Sequence, residues 1–366
     1  MRSRARLAVV VVGLTAALVC VPATASGSWL VRGAGFGHGV GMSAYGAYGY
    51  GKHGAGYREI IDHYFRHLRI KRTDSASRVR VLLDSTSGSA RFSGADRACG
   101  RRLKPGRTYV AARAGSSVSL LSADGSTLER CGSHLRAAGR RPLQLGGLGA
   151  YRGALDFLAR NGSLLVVNAV AVDDYARGSV PAEVPAEWPR ETLKAFAVAC
   201  RSIALSTDVG GRAFDVYPDT RTQVYKGTRA EASRTDRAIA ATRGEVATYR
   251  GEVAQTTYFS ASGGRTESRF LGGPRVPYLE SVKDPYDDLS PLHRWKLRFS
   301  DSELDSRLAS YAEGHVRRIE VTKRGDSPRI VTAILVGSGG KSRIAGDSLA
   351  AALGLYDRWA FFHHTG

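Results

Sequence analysis

Acidic residues are scarce in this chain. Its 366 residues carry 33 Asp and Glu against 53 Lys and Arg, a net charge of +20 with a pI near 10.2. Cysteine is scarce too. There are four, and no two stand at the C-x-x-C spacing of a zinc site. Long apolar runs are nearly absent. The longest, Leu7 to Val21, falls short of the roughly 20 residues that a membrane-spanning helix needs, and no later stretch is long and apolar enough to span. Neither an internal repeat of fixed period nor a long low-complexity tail is present.

The N-terminus is informative. Arg2, Arg4 and Arg6 precede the apolar run, and Ala23-Thr-Ala25 follows it as an A-x-A cleavage site. These are the three parts of a secretory signal peptide, expected over residues 1–25. An uncleaved anchor is the alternative. Bulky Val19 before Cys20 argues against lipidation there. A basic chain ordinarily suggests nucleic acid. Export points instead to anionic wall polymers, head groups or acidic glycans. Arg greatly outnumbers Lys, so part of the charge reflects compositional bias.

A 43% apolar content supports a real core, and the length suits one large domain or two ordinary ones. Cys99 and Cys131 lie in a loop-rich, strand-like region and can pair in an oxidising compartment. A loop of that size would add about 3–4 kcal/mol. Cys200 falls on the apolar face of a predicted helix, as a small buried hydrophobe. Residues 57–65 read as a short amphipathic helix. Strands are expected at 79–83 and at 118–121 with 127–131, the latter two flanking Asp124-Gly125. The run Leu164–Val172 reads as a buried strand, followed by a turn holding Pro181 and Pro185. The clearest helix begins near Pro189, with Leu193, Phe196, Cys200 and Ile203 at helical spacing. A further helix is expected at 236–242, and hairpins at 245–249 with 253–259 and at 316–322 with 330–335. The whole reads as an α+β fold, antiparallel and β-rich with a few helices.

Three constellations offer chemistry. In Gly33-Ala-Gly-Phe-Gly-His-Gly-Val-Gly-Met42, five glycines alternate around His38. So many imply positive φ or close backbone approach. The spacing is wrong for a dinucleotide fingerprint and Ser43 is not in a G-x-S-x-G elbow. A lone His in such a loop is more often structural than catalytic. In Val180-Pro-Ala-Glu-Val-Pro-Ala-Glu-Trp-Pro189, Glu183 stands in a proline-stiffened segment that fixes its direction. Val184 and Trp188 offer an apolar wall that would raise its pKa. The plainer alternative is a solvated acid favoured by the helix dipole, worth about 0.3–1 kcal/mol. Gln223-Val-Tyr-Lys-Gly227 and Tyr258-Phe-Ser-Ala-Ser-Gly-Gly-Arg-Thr266 set polar side chains beside glycine, as a polymer-binding cleft requires.

These pieces together resemble the stage II sporulation protein D (SpoIID/LytB) family. Val180-Pro-Ala-Glu-Val-Pro, Trp188 and Glu191-Thr-Leu-Lys-Ala-Phe-Ala-Val-Ala-Cys-Arg201-Ser are similar to its core motif. The strand before it, the 223–227 and 258–266 segments, Pro277-Tyr-Leu-Glu-Ser-Val282 and Leu349–Leu355 with Trp359 follow in the family's order. Gly35–Ala47 resembles a family signature that often lies near the C-terminus but here precedes the core, as in actinobacterial, exported members. Taken with the residue-level reading, the resemblance implies a Gly-rich segment at 26–72 packing on the core, a smaller β-rich module at 73–150 and a SpoIID-like catalytic core at 151–366.

The resemblance also implies an activity: a peptidoglycan lytic transglycosylase cutting MurNAc–GlcNAc strands, with Glu183 as the single general acid and base. Its alternative is a non-catalytic wall module that enhances an amidase. By the same matching, Arg201, Gln223, Tyr225, Ser262, Gly263, Gly264, Thr266 and His38 fall at positions expected to line the substrate cleft. Arg201 has a second reading as a structural ion-pair partner. Two departures stand out. Phe196 replaces a glutamine common in relatives, and Gly210–Thr222 lacks the Cys and His with which some relatives bind zinc. No metal and no cofactor are therefore expected, and no nucleic acid. The expected partners are glycan strands, anionic wall polymers and a wall amidase.

Overall fold

The computed structural model describes residues 27–74, 77–211 and 213–365. The expected signal peptide lies outside the described residues. Most strands lie in antiparallel sheets, with seven α-helices among the described residues: α1 (Ala44–Lys52), α2 (Tyr57–Tyr64), α3 (Val172–Glu183), α4 (Arg190–Ser206), α5 (Ser233–Ala241), α6 (Asp301–Leu308) and α7 (Gly346–Leu353). The α+β reading stands.

Two six-stranded sheets form the β-rich part. One runs Arg78–Thr86, Ser163–Ala171, Ala154–Arg160, His134–Ala138, Arg97–Ala98, Arg101–Arg102 in spatial order. The other runs Thr127–Arg130, Ser117–Ser122, Tyr109–Ala114, Ser89–Ser93, Leu143–Leu145, Gly149–Tyr151. Strands on both sides of residue 150 therefore share one sheet. Phe157 and Val166 from beyond that boundary pack into the same core as Phe92 and Leu120 before it. The boundary expected at 150 divides a continuous core, because Ala154–Arg160 completes the sheet that His134–Ala138 begins.

The segment Ser163–Ala171 is buried along most of its length and runs directly into α3. Asp173 and Asp174 occupy the first turn of α3, where the positive end of the helix dipole favours them. The turn expected around Pro181 is absent. Pro181 lies within α3 and Glu183 is its last residue. A proline removes one i→i−4 bond, and near a helix end little further structure depends on it. Helix α4 is central and buried on most sides, including Leu193, Phe196, Cys200 and Arg201. A helix apolar on most sides is enclosed by its neighbours, and α1, α2, α3 and α5 all pack on α4.

The second hairpin strand expected at 253–259 also differs. Only Glu252–Val253 pairs with Glu245–Tyr249, and Tyr258–Phe259 runs parallel to Met42–Ser43 instead. Thr256 leaves the hairpin by donating its hydroxyl to the Ala199 carbonyl of α4.

The Gly-rich segment spans two cores. Strand Ser28–Gly33 sits between Trp295–Ser300 and Ala360–Thr365, so Trp29 and Val31 join a separate cluster with Phe299, Leu335 and Leu349. Its continuation, with Val40 and Met42, enters the main core. The alternation of glycine is a geometric requirement. Gly39 and Gly41 both have φ near +83°, and a Cβ on either would lie 2.4 Å from Arg329 or 2.2 Å from the Thr257 carbonyl.

Candidate active site

Glu183 faces a cleft of about 690 Å³ and is the only carboxylate among the described residues that line it. Its position follows from α3, which delivers it at the helix C-terminus, where the dipole disfavours negative charge. The Val224 N–H donates to Oε1 at 2.6 Å. Burial pushes the carboxyl above its ordinary range, while that hydrogen bond and the charge of Lys226 pull the other way. The net direction is upward, towards an acid that holds its proton at higher pH.

Aromatic rings form one wall. Trp188 stacks on Tyr48 with centroids 4.8 Å apart and meets Tyr45 edge-on at 5.4 Å. Trp188 thus stands at the cleft as read from the sequence, whereas Val184 turns into the main core. Phe196, the departure from the common glutamine, also lines the cleft and packs edge-on against Tyr258 at 5.1 Å. Phe36, His38 and Phe270 also line the cleft, with His38 tilted against both Phe259 and Phe270. Thr220, Arg221 and Thr222 line it as well.

A hydrogen-bond relay underlies the cleft. The Tyr175 hydroxyl donates to Gln223 Oε1 at 3.2 Å, and Gln223 Nε2 donates to the Tyr258 hydroxyl oxygen at 2.8 Å. A phenol has one proton. The Tyr258 oxygen already accepts from Gln223, its proton has no acceptor among the described residues, and Tyr258 lines the cleft. Burial raises the Tyr258 pKa well above the ordinary value, with the Glu183 charge adding to it, so the proton stays in place. Tyr225 lies lower still. It stacks on Tyr175 at 5.0 Å and donates to Asn168 Oδ1 at 2.7 Å.

His38 uses both ring nitrogens internally. Val40 N–H donates to Nδ1 at 3.1 Å, so the proton sits on Nε2 and donates to the Tyr258 carbonyl at 3.1 Å. Burial lowers its pKa to about 4, with the Tyr258 carbonyl opposing and the Arg329 and Arg358 charges assisting. A neutral, doubly engaged imidazole braces the backbone of Tyr258.

Of the eight residues expected to line the cleft, only His38 does, and seven lie elsewhere. Arg201 is 0% exposed. Its Nε donates to Asp173 at 2.6 Å and its Nη2 to the Ile239 carbonyl at 2.8 Å, tying α4 to α3 and α5. This is the structural ion pair. Ser262 and Gly263 donate backbone N–H groups to the two oxygens of buried Asp287, at 2.7 and 2.8 Å, and Gly264 N–H donates to Ser262 Oγ. Thr266 Oγ1 accepts from Val282 N–H at 2.9 Å in the interior. Tyr225 is the sixth, buried beneath the floor. Gln223 is buried too and reaches the cleft through Tyr258. Cys200, enclosed in α4, has its thiol pushed up to about 12 by burial, which removes it as a nucleophile. Cys99 and Cys131 are joined by a disulfide, Cα atoms 5.7 Å apart, remote from the cleft in sequence and sheet. No group of three or more His, Cys, Asp or Glu stands ready for a metal ion among the described residues.

Sequence reasoning missed Tyr45, Phe36, Phe270 and Arg221, and gave Tyr258 no role of its own. Tyr45 had a usable signal, as the first aromatic residue after the glycine alternation.

Residues 160–249 match the family model described as stage II sporulation protein, SpoIID. That segment contains Glu183, Arg201, Gln223 and Tyr225. An uncharacterized protein of Brachyspira hyodysenteriae is 36% identical over 166 residues, 44% of this chain and 45% of its own length. Stage II sporulation protein D of Bacillus subtilis is 29% identical over 195 residues, 48% of this chain and 57% of its own length. The amidase enhancer of Bacillus subtilis is 38% identical over 133 residues, 36% of this chain and 18% of its own length. The chain thus spans about half the length of the first two relatives and less of the third.

Proposed function

We propose that this chain, which carries a SpoIID domain over residues 160–249, is an exported lytic transglycosylase acting on peptidoglycan glycan strands. One observation carries the reading: a single carboxyl group, pushed towards its protonated form, faces a large cleft that holds no second acid among the described residues. Hydrolysis of a glycoside ordinarily uses two carboxylates. One suffices when the nucleophile belongs to the substrate. Protonated Glu183 gives its proton to the oxygen between N-acetylmuramic acid and N-acetylglucosamine, and that bond breaks. As carboxylate, Glu183 then takes the proton of the muramic C6 hydroxyl, whose oxygen bonds to the anomeric carbon. The products are a new free end and a 1,6-anhydro end, and Glu183 is protonated again. The Tyr258 hydroxyl is placed to donate to a sugar oxygen. The Tyr45–Tyr48–Trp188 wall offers apolar ring faces for sugar C–H surfaces.

Mass spectrometry of digested glycan tests this. Anhydro ends are one water lighter than hydrolysed ends. Their appearance with the purified protein, and their loss in Glu183→Gln, is the expected result. A second reading follows from the amidase-enhancer relative: a wall-binding module that stimulates an amidase without cutting glycan. Wall binding with no new glycan ends, together with faster amidase release of stem peptides, would favour it.

A further inference from the structure

The β-rich part holds a surface that glycan cleavage does not use. Residues 89–151 carry eleven Lys and Arg against three Asp and Glu. The charge is not spread evenly. Arg97–Ala98 and Arg101–Arg102 form a two-residue hairpin at a sheet edge, with Arg97 directly opposite Arg102. Directly opposed residues of an antiparallel pair point to the same face, and like charges there destabilise the pair. Both side chains are exposed, so no packing need explains them. Among the described residues no acid pairs with either one. Of the neighbouring acids, Asp96 accepts the Arg140 backbone N–H, and Glu129 reaches only Arg101, at 4.0 Å. On the same face, beside Arg97 across the next strand, lies Ala138, and two residues back Arg136, which binds Asp156.

The hairpin is also rigidly built. Its turn residues, Cys99 and Gly100, have φ of 54° and 75°, the paired positive values of a type I′ turn. Cysteine is an uncommon occupant of that region. Here it is bonded to Cys131, whose N–H donates to Val118 of the second sheet. The disulfide thus fastens the tip of one sheet to the other. Two unpaired guanidinium forks are held opposite each other on a fixed support. Arg forks match the paired oxygens of phosphate. The exposed large apolar residues lie elsewhere, at Phe36, Leu148, Val209, Phe270 and beyond, so the hairpin lacks the apolar insertion that membrane-surface sites use. It also lacks an aromatic side chain on which a nucleobase could stack.

We propose that the Arg97/Arg102 face is a docking site for a phosphodiester-linked wall polymer. Such a polymer would hold the protein in the wall while the cleft works on glycan. Binding and glycan cleavage are separately measurable, so failure of one is distinguishable from failure of the other.

The test uses the full chain and fluorescently labelled poly(glycerol phosphate), titrated at several salt concentrations. Arg97→Gln/Arg102→Gln should weaken binding at least tenfold and lower the salt slope by roughly two, one for each phosphate no longer neutralised. Arg317→Gln/Arg343→Gln, which removes equal charge from exposed sites in the C-terminal strands, should change binding less than twofold. Cys99→Ser/Cys131→Ser keeps every charge but releases the tip, and should weaken binding severalfold while its circular dichroism spectrum stays that of a folded chain. Equal weakening by the two arginine pairs would overturn the proposal, reducing it to bulk charge. Equal binding of polygalacturonate, or of phosphatidylglycerol vesicles, with the same dependence on Arg97 and Arg102 would overturn the assignment to a phosphodiester polymer.

Discussion

Glu183 and Asp287 are two carboxylates of one structure, and their surroundings are built in opposite ways. Glu183 receives a single N–H, from Val224, and opens on a cleft. Asp287 is 0% exposed and is met by the N–H groups of Ser262 and Gly263, the Ser43 hydroxyl and His293 Nδ1, all within 2.9 Å. An ionised carboxylate offers about four lone-pair sites. Asp287 uses all of them to join the start of α1, the Ser-Gly-Gly loop and the approach to strand Trp295–Ser300. Glu183 keeps most of its capacity for something not in the fold. Ser262 and Gly263, which hold Asp287, stand in a sequence motif just as Glu183 does, so motif membership alone does not separate scaffold from chemistry. The number of internal partners does.

The most drastic way to probe this contrast is at Glu183 itself. Glu183→Gln keeps the shape and the oxygen that accepts from Val224, and removes only the transferable proton. Glycan cleavage should fall about 10²–10⁴-fold, the range for loss of a general acid–base group, while the variant still folds and melts no lower than the parent. Unchanged cleavage by this variant would remove Glu183 from the chemistry. The converse substitution is Asp287→Ala. It strands four donors in the interior and should cost about 3–5 kcal/mol of stability, read as a fall in denaturation midpoint. Surviving folded protein should cleave normally. A variant that folds as well as the parent yet cannot cleave would place Asp287 on the catalytic side and break the comparison.

Asp284 sharpens the contrast from between the two. It is buried beside Asp287, accepts from Tyr64 at 2.8 Å, and its Oδ2 has no geometric hydrogen-bond partner among the described residues. Burial, with the Asp287 charge second, pushes its carboxyl up to about 7. The folded pKa lies above the unfolded one, so the folded chain binds this proton more tightly. That contribution is fully present below about pH 4 and is lost as pH rises through about 7. Stability measured across this window should decline, and Asp284→Asn should flatten the decline. An identical decline in the variant would assign it to another group.

Tyr258 tests the relay with a smaller expected effect. Tyr258→Phe removes the free phenolic proton and leaves the ring against Phe196. Loss of one hydrogen bond of about 1 kcal/mol should lower kcat several-fold, while His38 continues to brace the backbone carbonyl. An effect on KM alone, at constant kcat, would make Tyr258 a ground-state contact.

The sequence made the elements with strong periodicity legible: α4, the buried strand before α3, and the hairpin at Asp124-Gly125. It made Glu183 legible because a proline-stiffened segment, apolar neighbours and motif coincide there. It could not show which way a polar side chain turns. Arg201 lies four residues after Ala197 on a nearly fully buried helix, yet an arginine in a motif reads equally as ligand or ion pair. Ser262-Gly-Gly has the composition of a ligand loop. Only the chain's return at Asp287, more than twenty residues later, shows what its N–H groups bind. That one sheet continues across the break expected at residue 150 was hidden for a similar reason. Pairing between His134–Ala138 and Ala154–Arg160 is a long-range fact, while the Gly-rich stretch between them looks locally like a linker.

The smallest effect returns to Glu183 and bears most directly on its surroundings. Its carboxyl is raised chiefly by burial, so the ionised form is the one the fold disfavours. The folded pKa exceeds the unfolded value, and the stabilising contribution present at low pH is lost as pH rises through the folded pKa. At neutral pH the group is therefore a small net burden on folding. Glu183→Gln, permanently uncharged, should melt slightly higher than the parent at pH 7–8, and the difference should vanish below about pH 4, where both carry a neutral side chain. Asp287→Asn should do the reverse and melt lower throughout the neutral range, because it gives up one of two fully engaged oxygens. Opposite signs from two carboxylate-to-amide changes in one core would separate a group stabilised by its surroundings from a group held ready for a substrate. Equal signs would leave Glu183 as one more structural acid, whatever the motif around it suggests.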